Sequence, residues 1–212
     1  PYGATKVEQK YQVPVAGNDH MTNYLEWLRI QNGGNPSGIT TVEFQDQLKY
    51  LYNGRAMAQF VLKDFVNMGY LGAARIIGSF KSYTDENGKK VTIYGDNDPY
   101  EGSPTQARSP LFGTNHAIDF LSRVSMGSQN VAWFQKWLVH RRARPEVFFG
   151  HVHNHKTNPD ISYDIHTDAL DSPALGIVAT KPGGEGTYLL PTATPKGSPL
   201  HPTYPAGHAV MA

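Results

Sequence analysis

The chain has no cysteine in its 212 residues, which excludes disulfides, thiolate catalysis and iron–sulfur clusters. Charge is sparse too. Charged residues make up 17% and the formal net charge is +1, so no field of one sign points to nucleic acid or to an anionic membrane surface. No apolar run approaches the roughly 18 residues of a membrane-spanning helix, no signal peptide is visible, and no internal repeat or low-complexity tract occurs. The sequence leaves the compartment open, a soluble protein that is secreted, periplasmic or cell-wall associated being compatible with it. The nine histidines make net charge depend on pH near neutrality.

What the sequence does contain is helical periodicity between long loops. Residues 1–19 lack an apolar period, carry Gly3, Pro14 and Gly17, and read as an N-terminal arm ordered by a partner surface. Residues 20–212 read as one helical domain. Asn18 or Asp19 is placed to cap a short helix with Met21, Tyr24, Leu25 and Leu28 on one face, ended by Gly33-Gly34. Thr40 or Thr41 opens a second helical pattern through Phe44, Leu48, Leu51 and Tyr52, interrupted near Asn53-Gly54. A third runs through Val61, Phe65, Met68, Gly72 and Ile76, with small residues suited to close helix packing. Between Tyr83 and Val91-Thr92-Ile93-Tyr94 the run Asp85-Glu86-Asn87-Gly88 predicts a small hairpin or loop excursion. Helical pattern resumes from Asn115 to Val124, breaks at Gly127-Ser128 and restarts at Asn130. Phe149 to Gly186 reads as loop, with a short strand or helical turn over Ala174 to Val178. The expected fold class is all-α, a helical bundle with long loops and little β.

The chemistry concentrates late in the chain. His201-Pro202-Thr203-Tyr204-Pro205-Ala206-Gly207-His208 combines two backbone-fixing prolines with a small Ala-Gly pair, then enters what looks like a helix. Such a turn offers N–H groups to an anion. Lys136 and Arg144-Pro145 add a point charge and a planar fork, the two cation types that hold a tetrahedral oxyanion. Their separation is about 2.2 turns at roughly 3.6 residues per turn, so on one continuous helix they would not share a face. Pro145 disfavours helix at Arg144, which places that residue just beyond a helix end.

These motifs, with the surrounding Trp133-Phe134-Gln135-Lys136-Trp137-Leu138-Val139-His140 and Tyr188-Leu189-Leu190-Pro191, resemble the vanadium-dependent haloperoxidases, in particular the algal and cyanobacterial bromoperoxidases. That family shares its anion site with the type-2 phosphatidic acid phosphatases. The resemblance implies a vanadate cofactor, with hydrogen peroxide oxidising bromide or iodide to hypohalous acid that halogenates nucleophilic organic acceptors. It implies that Lys136, Arg144 and the Gly207 amide hold the vanadate oxygens and that His208 acts as acid and base. It further implies that Trp133 and His201 border the halide, although a core aromatic and a turn-stabilising hydrogen bonder are open readings of those two. Large homo-oligomers are implied as well, and neither nucleic acid nor a membrane span is expected among the partners.

The sequence departs from the family pattern in two places. Ala206 stands where most members carry Ser, a change expected to weaken vanadate binding by roughly 1–3 kcal/mol. The family's third motif, which supplies a second Arg and the His that bonds vanadium directly, has no match in the 212 residues. The direct vanadium ligand is therefore not present in this chain, the chain is expected to be truncated, and taken alone it is expected to hold no stable vanadate. A phosphomonoesterase and an inactive scaffold subunit are the rival readings. His151, His153 and His155 alternate, as metal ligands on a strand would, or as part of a polar loop. Asp168 and Asp171 are candidates for a structural divalent cation.

Overall fold

The computed structural model describes residues 8–37, 40–80, 82–92, 99–100, 102–108 and 111–211. It is predominantly helical, as expected for an all-α fold: α1 (Tyr24–Gln31), α2 (Gly54–Lys63), α3 (Met68–Gly78), a hairpin of β1 (Ser82–Thr84) and β2 (Lys90–Thr92), α4 (Thr114–Phe134), a π-helix (Gln135–His140), α5 (Pro145–Thr157), α6 (Thr167–Leu170), α7 (Pro173–Ala179) and α8 (Gly207–Met211). No described helix is long and apolar enough to cross a membrane. The described residues divide into two compact units, one drawn from 8–9, 61–134 and 205–211 and the other from 10–60 and 135–204.

In the first unit α3 and α8 each pack on α4. The helical pattern read across Val61 to Ile76 is broken at residues 64–67, so it belongs to two helices. The predicted break at Gly127-Ser128 does not occur: α4 runs through it for 21 residues. A glycine inside a helix costs about 1 kcal/mol, less than the cost of nucleating a second helix. The hairpin forms as read over Tyr83 and Val91, while Ile93 and Tyr94 lie outside the described residues. Asp85 Oδ1 accepts from the Asn87 and Lys89 amides at 2.9 and 2.8 Å, and Gly88 takes the left-handed φ of 78° that closes the turn.

In the second unit the helix expected from Thr40 or Thr41 is absent, and extended chain pairs there with residues 11–15. The bonds Tyr11 N to Lys49 O (2.8 Å), Lys49 N to Tyr11 O (3.0 Å), Gln45 N to Val13 O (2.9 Å) and Val15 N to Glu43 O (2.9 Å) satisfy both backbones. Val13 is fully buried, so tertiary pairing overrides local periodicity. Asn53 opens α2, its Oδ1 accepting from the Ala56 amide at 2.9 Å. The first helix starts at Tyr24, later than Asn18 or Asp19 would have placed it, because Asn23 Oδ1 caps the Leu25 and Glu26 amides. Its inner face supplies Trp27 and Ile30 to a core with Met21 and Leu189, against which Tyr24 packs.

Residues 149–186, read as loop apart from a strand or helical turn over Ala174 to Val178, carry most of α5 and all of α6, and the helical option holds in α7. The buried face of α5 is Glu146, Gly150, Val152 and His153, so an apolar count does not reveal it. Gly150 is required there, because a Cβ would collide with the Trp27 ring. The Trp27 indole N–H donates to the Glu146 carbonyl at 3.0 Å, tying α1 to the first turn of α5.

Candidate functional site

Lys136 sits in the π-helix and is 1% exposed. The winding is closed by Arg141 N donating to Lys136 O at 3.0 Å, a five-residue step. Arg141, with φ 45°, stops it. The Lys136 ammonium donates to Pro202 O at 2.9 Å and Thr203 O at 3.3 Å. Arg144 is the extended N-cap of α5, immediately before Pro145 at the first helical position, which is where the proline argument placed it. Its Nη1 donates to His201 O at 3.3 Å and lies 3.4 Å from His201 Nδ1. Two cations from different elements therefore converge on the three-residue segment His201–Thr203, which is also held by Thr203 N donating to Arg142 O at 3.0 Å.

Burial lowers the Lys136 pKa from its ordinary value, and the positive charge of Arg144 lowers it further. His201 Nδ1 also lies 2.9 Å from Pro202 O. With a proton on Nδ1 the ring donates to that carbonyl, and with Nδ1 bare it accepts from Arg144, so the tautomer decides how firmly Arg144 is held. Among the described residues, the buried Arg144 Nε makes no hydrogen bond. The carboxylate facing it is Glu146, whose Oε1 is 3.6 Å away. Sequence reasoning missed Glu146. The Arg-Pro-Glu order holds a signal, but an acidic residue in a helix's first turn ordinarily reads as an exposed partner for the helix dipole.

The other predicted residues belong to the first unit. Gly207 and His208 begin α8, whose turn closes through Val210 N donating to Ala206 O at 3.0 Å. A Cβ at Gly207 would meet nothing within 4 Å, so bulk at that point is not what the fold forbids. Trp133 is 42% exposed near the end of α4.

The histidine trio lies on helix α5 rather than on a strand or loop. His153 Nδ1 accepts from Tyr188 N at 3.3 Å, His155 Nδ1 accepts from Tyr163 N at 3.2 Å, and His151 stacks on Tyr163 with centroids 4.4 Å apart. Each imidazole is used in packing or backbone bonding. Among the described residues, no group of three or more His, Asp or Glu is placed to hold a metal ion, Asp168 and Asp171 included.

No protein-family model matches the chain. It is 34% identical over 211 residues to a vanadium-dependent bromoperoxidase of Ascophyllum nodosum, covering 97% of this chain and 36% of that protein. It is 25% identical over 229 residues to a vanadium-dependent bromoperoxidase of Corallina pilulifera, covering 100% of this chain and 36% of that protein. In structure it matches the homohexameric second vanadate-dependent bromoperoxidase of Ascophyllum nodosum with a TM-score of 0.70 at 29% identity, over 96% of this chain and 32% of that one. The chain thus spans about a third of the length of the relatives it matches.

Proposed function

From a chain that belongs to the vanadium-dependent haloperoxidase family in sequence and fold, we propose a part in vanadate-dependent oxidation of bromide and iodide by hydrogen peroxide. The products are hypohalous acid and water, and the acid halogenates nucleophilic organic acceptors. The observation that carries this reading is the convergence of Lys136 and Arg144 on one backbone segment. Two cations held close together, one of them almost fully buried, repel each other and lose hydration, and an oxyanion bound between them offsets both costs. The residues fit vanadate: a buried ammonium and a planar guanidinium brought to one backbone segment match the donor needs of a tetrahedral oxyanion.

Bound vanadate would supply the Lewis acidity that makes peroxide oxygen electrophilic. Lys136 and Arg144 hold its charge. By the family resemblance, the Gly207 amide would serve as a backbone donor and His208 as the imidazole that takes a proton from peroxide and returns it. Trp133 and His201 retain their proposed places beside the halide. A structural divalent cation has no donor cluster among the described residues and forms no part of the reading. Homo-oligomer formation is part of it, supported by the large apolar side chains that α4 leaves exposed, such as Phe120, Met126 and Val131.

The test is bromination of a 1,3-diketone dye by the protein as purified from its source, with peroxide and bromide, before and after vanadate, with a phosphate ester in parallel. Vanadate-dependent bromination that Lys136→Ala abolishes is the expected result. Ester hydrolysis without bromination would move the site to phosphate chemistry, and inactivity in both assays together with undetectable vanadate binding would end the reading.

A further inference from the structure

Glu146 is 3% exposed, and a carboxylate so deeply buried is stable only beside a cation or several donors. The cation is Arg144, with side-chain exposures of 19% for the arginine and 4% for the glutamate and 3.6 Å between Nε and Oε1. Glu146 is itself fixed from behind, because its carbonyl accepts the Trp27 indole N–H at 3.0 Å and Trp27 is wedged against Gly150 one turn along α5. The guanidinium is thus held along two edges, Nε facing Glu146 and Nη1 on His201. A planar fork fixed along two edges has one orientation, and its remaining N–H donors point one way.

We propose that Glu146 is a positioning residue for Arg144, setting the guanidinium plane for oxyanion binding. The proposal rests on the oxyanion reading of Lys136 and Arg144, and it has a sign that simple electrostatics does not share. Removing a carboxylate near an anion site tightens anion binding if charge alone matters. Removing a carboxylate that orients the anion's own ligand weakens binding.

The experiment measures the dissociation constant of orthovanadate by vanadium NMR, with inorganic phosphate as competitor, for the protein as its source makes it and for its Glu146→Gln, Glu146→Asp, Arg144→Gln and Glu146→Gln/Arg144→Gln variants. Thermal unfolding of each variant shows that it is folded. Glu146→Gln is expected to weaken vanadate binding about ten- to a hundredfold, the range for losing a partner that orients a ligand. Glu146→Asp, which keeps the charge, is expected to recover part of the loss. Against the Arg144→Gln background, Glu146→Gln is expected to change nothing further. Unchanged or tighter binding in Glu146→Gln overturns the proposal while the vanadate reading stands. If the unaltered protein binds neither vanadate nor phosphate, the vanadate reading falls, and the Arg144 Nε–H signal in isotope-edited NMR then decides the positioning role. A slowly exchanging Nε–H that Glu146→Gln makes fast supports it, and an equal exchange rate in both sinks it.

Discussion

Both units leave large apolar side chains exposed, but the second also closes a core of large side chains inside itself, whereas α3 and α4 of the first bury only small ones. In the second unit Trp27, Ile30 and Leu189 are buried together, and the most hidden side chain by size is a lysine, Lys136. In the first, the residues that α3 and α4 bury are Gly72, Ser125 and Ala132, while Phe120 is 64% exposed and Val131 62%. Small residues let helices approach closely, and the large apolar ones are then turned outward. One unit draws its cohesion from its own core and has enough to hold charge in place. The other carries apolar surface of the kind that another protein surface covers.

The sharpest way to break this contrast is Trp27→Ala, which removes both the core of the second unit and the indole bond to Glu146. It is expected to lower unfolding stability by about 3–5 kcal/mol, read from the denaturant midpoint. Gly150→Ala pushes a methyl group into the same ring and is expected to cost about 1–3 kcal/mol by the same measurement. A gentler probe is pH. Burial first, and then Lys181, lower the His153 pKa below its ordinary value of 6.5. The unfolded chain therefore holds more proton than the folded one between the folded pKa and 6.5, and stability rises with pH across that window. Acidification from neutral pH should destabilise the chain through this group, and His153→Gln should flatten that part of the stability profile. The smallest expected effect on stability comes from Phe120→Ser with Val131→Ser. As surface changes they should each alter unfolding by no more than about 0.5 kcal/mol, while the mass in solution by light scattering falls. An unchanged mass would show that this apolar surface is not where copies meet.

Sequence reasoning reached the helical class of the fold, and it placed local backbone better than it placed long-range pairing. Pro145 was enough to place Arg144 outside a helix, because the restriction proline puts on its predecessor is local. Lys136 on a helix was legible too, but its π winding was not, since no side-chain pattern distinguishes a five-residue step from a four-residue one over six residues. The helix predicted through Phe44 and Leu48 failed because its backbone partners are residues 11–15, about thirty positions earlier, and periodicity carries no long-range information. α5 was hidden for another reason. Its inner face mixes a carboxylate, a glycine, a valine and an imidazole, residues whose burial is decided by Trp27, Arg144 and Tyr188 rather than by hydrophobicity. Glu146 was missed by the same rule, because its role depends on a burial that the sequence does not display.

The π-helix at Gln135–His140 also makes main-chain length a functional quantity. Lys136 is gripped at both ends, its carbonyl by the Arg141 amide and its ammonium by two carbonyls of the 202–203 segment. A π turn is in effect an α turn with one residue too many, so deleting a single residue from 137–140 would let the stretch relax to ordinary winding without breaking the helix. Everything downstream would then rotate by about 100° relative to Lys136, the angle one residue subtends in an α-helix, and Arg144 would be carried off the His201–Thr203 segment. The spacing of the two cations works as a reading frame, more sensitive to one residue gained or lost than to most residues exchanged.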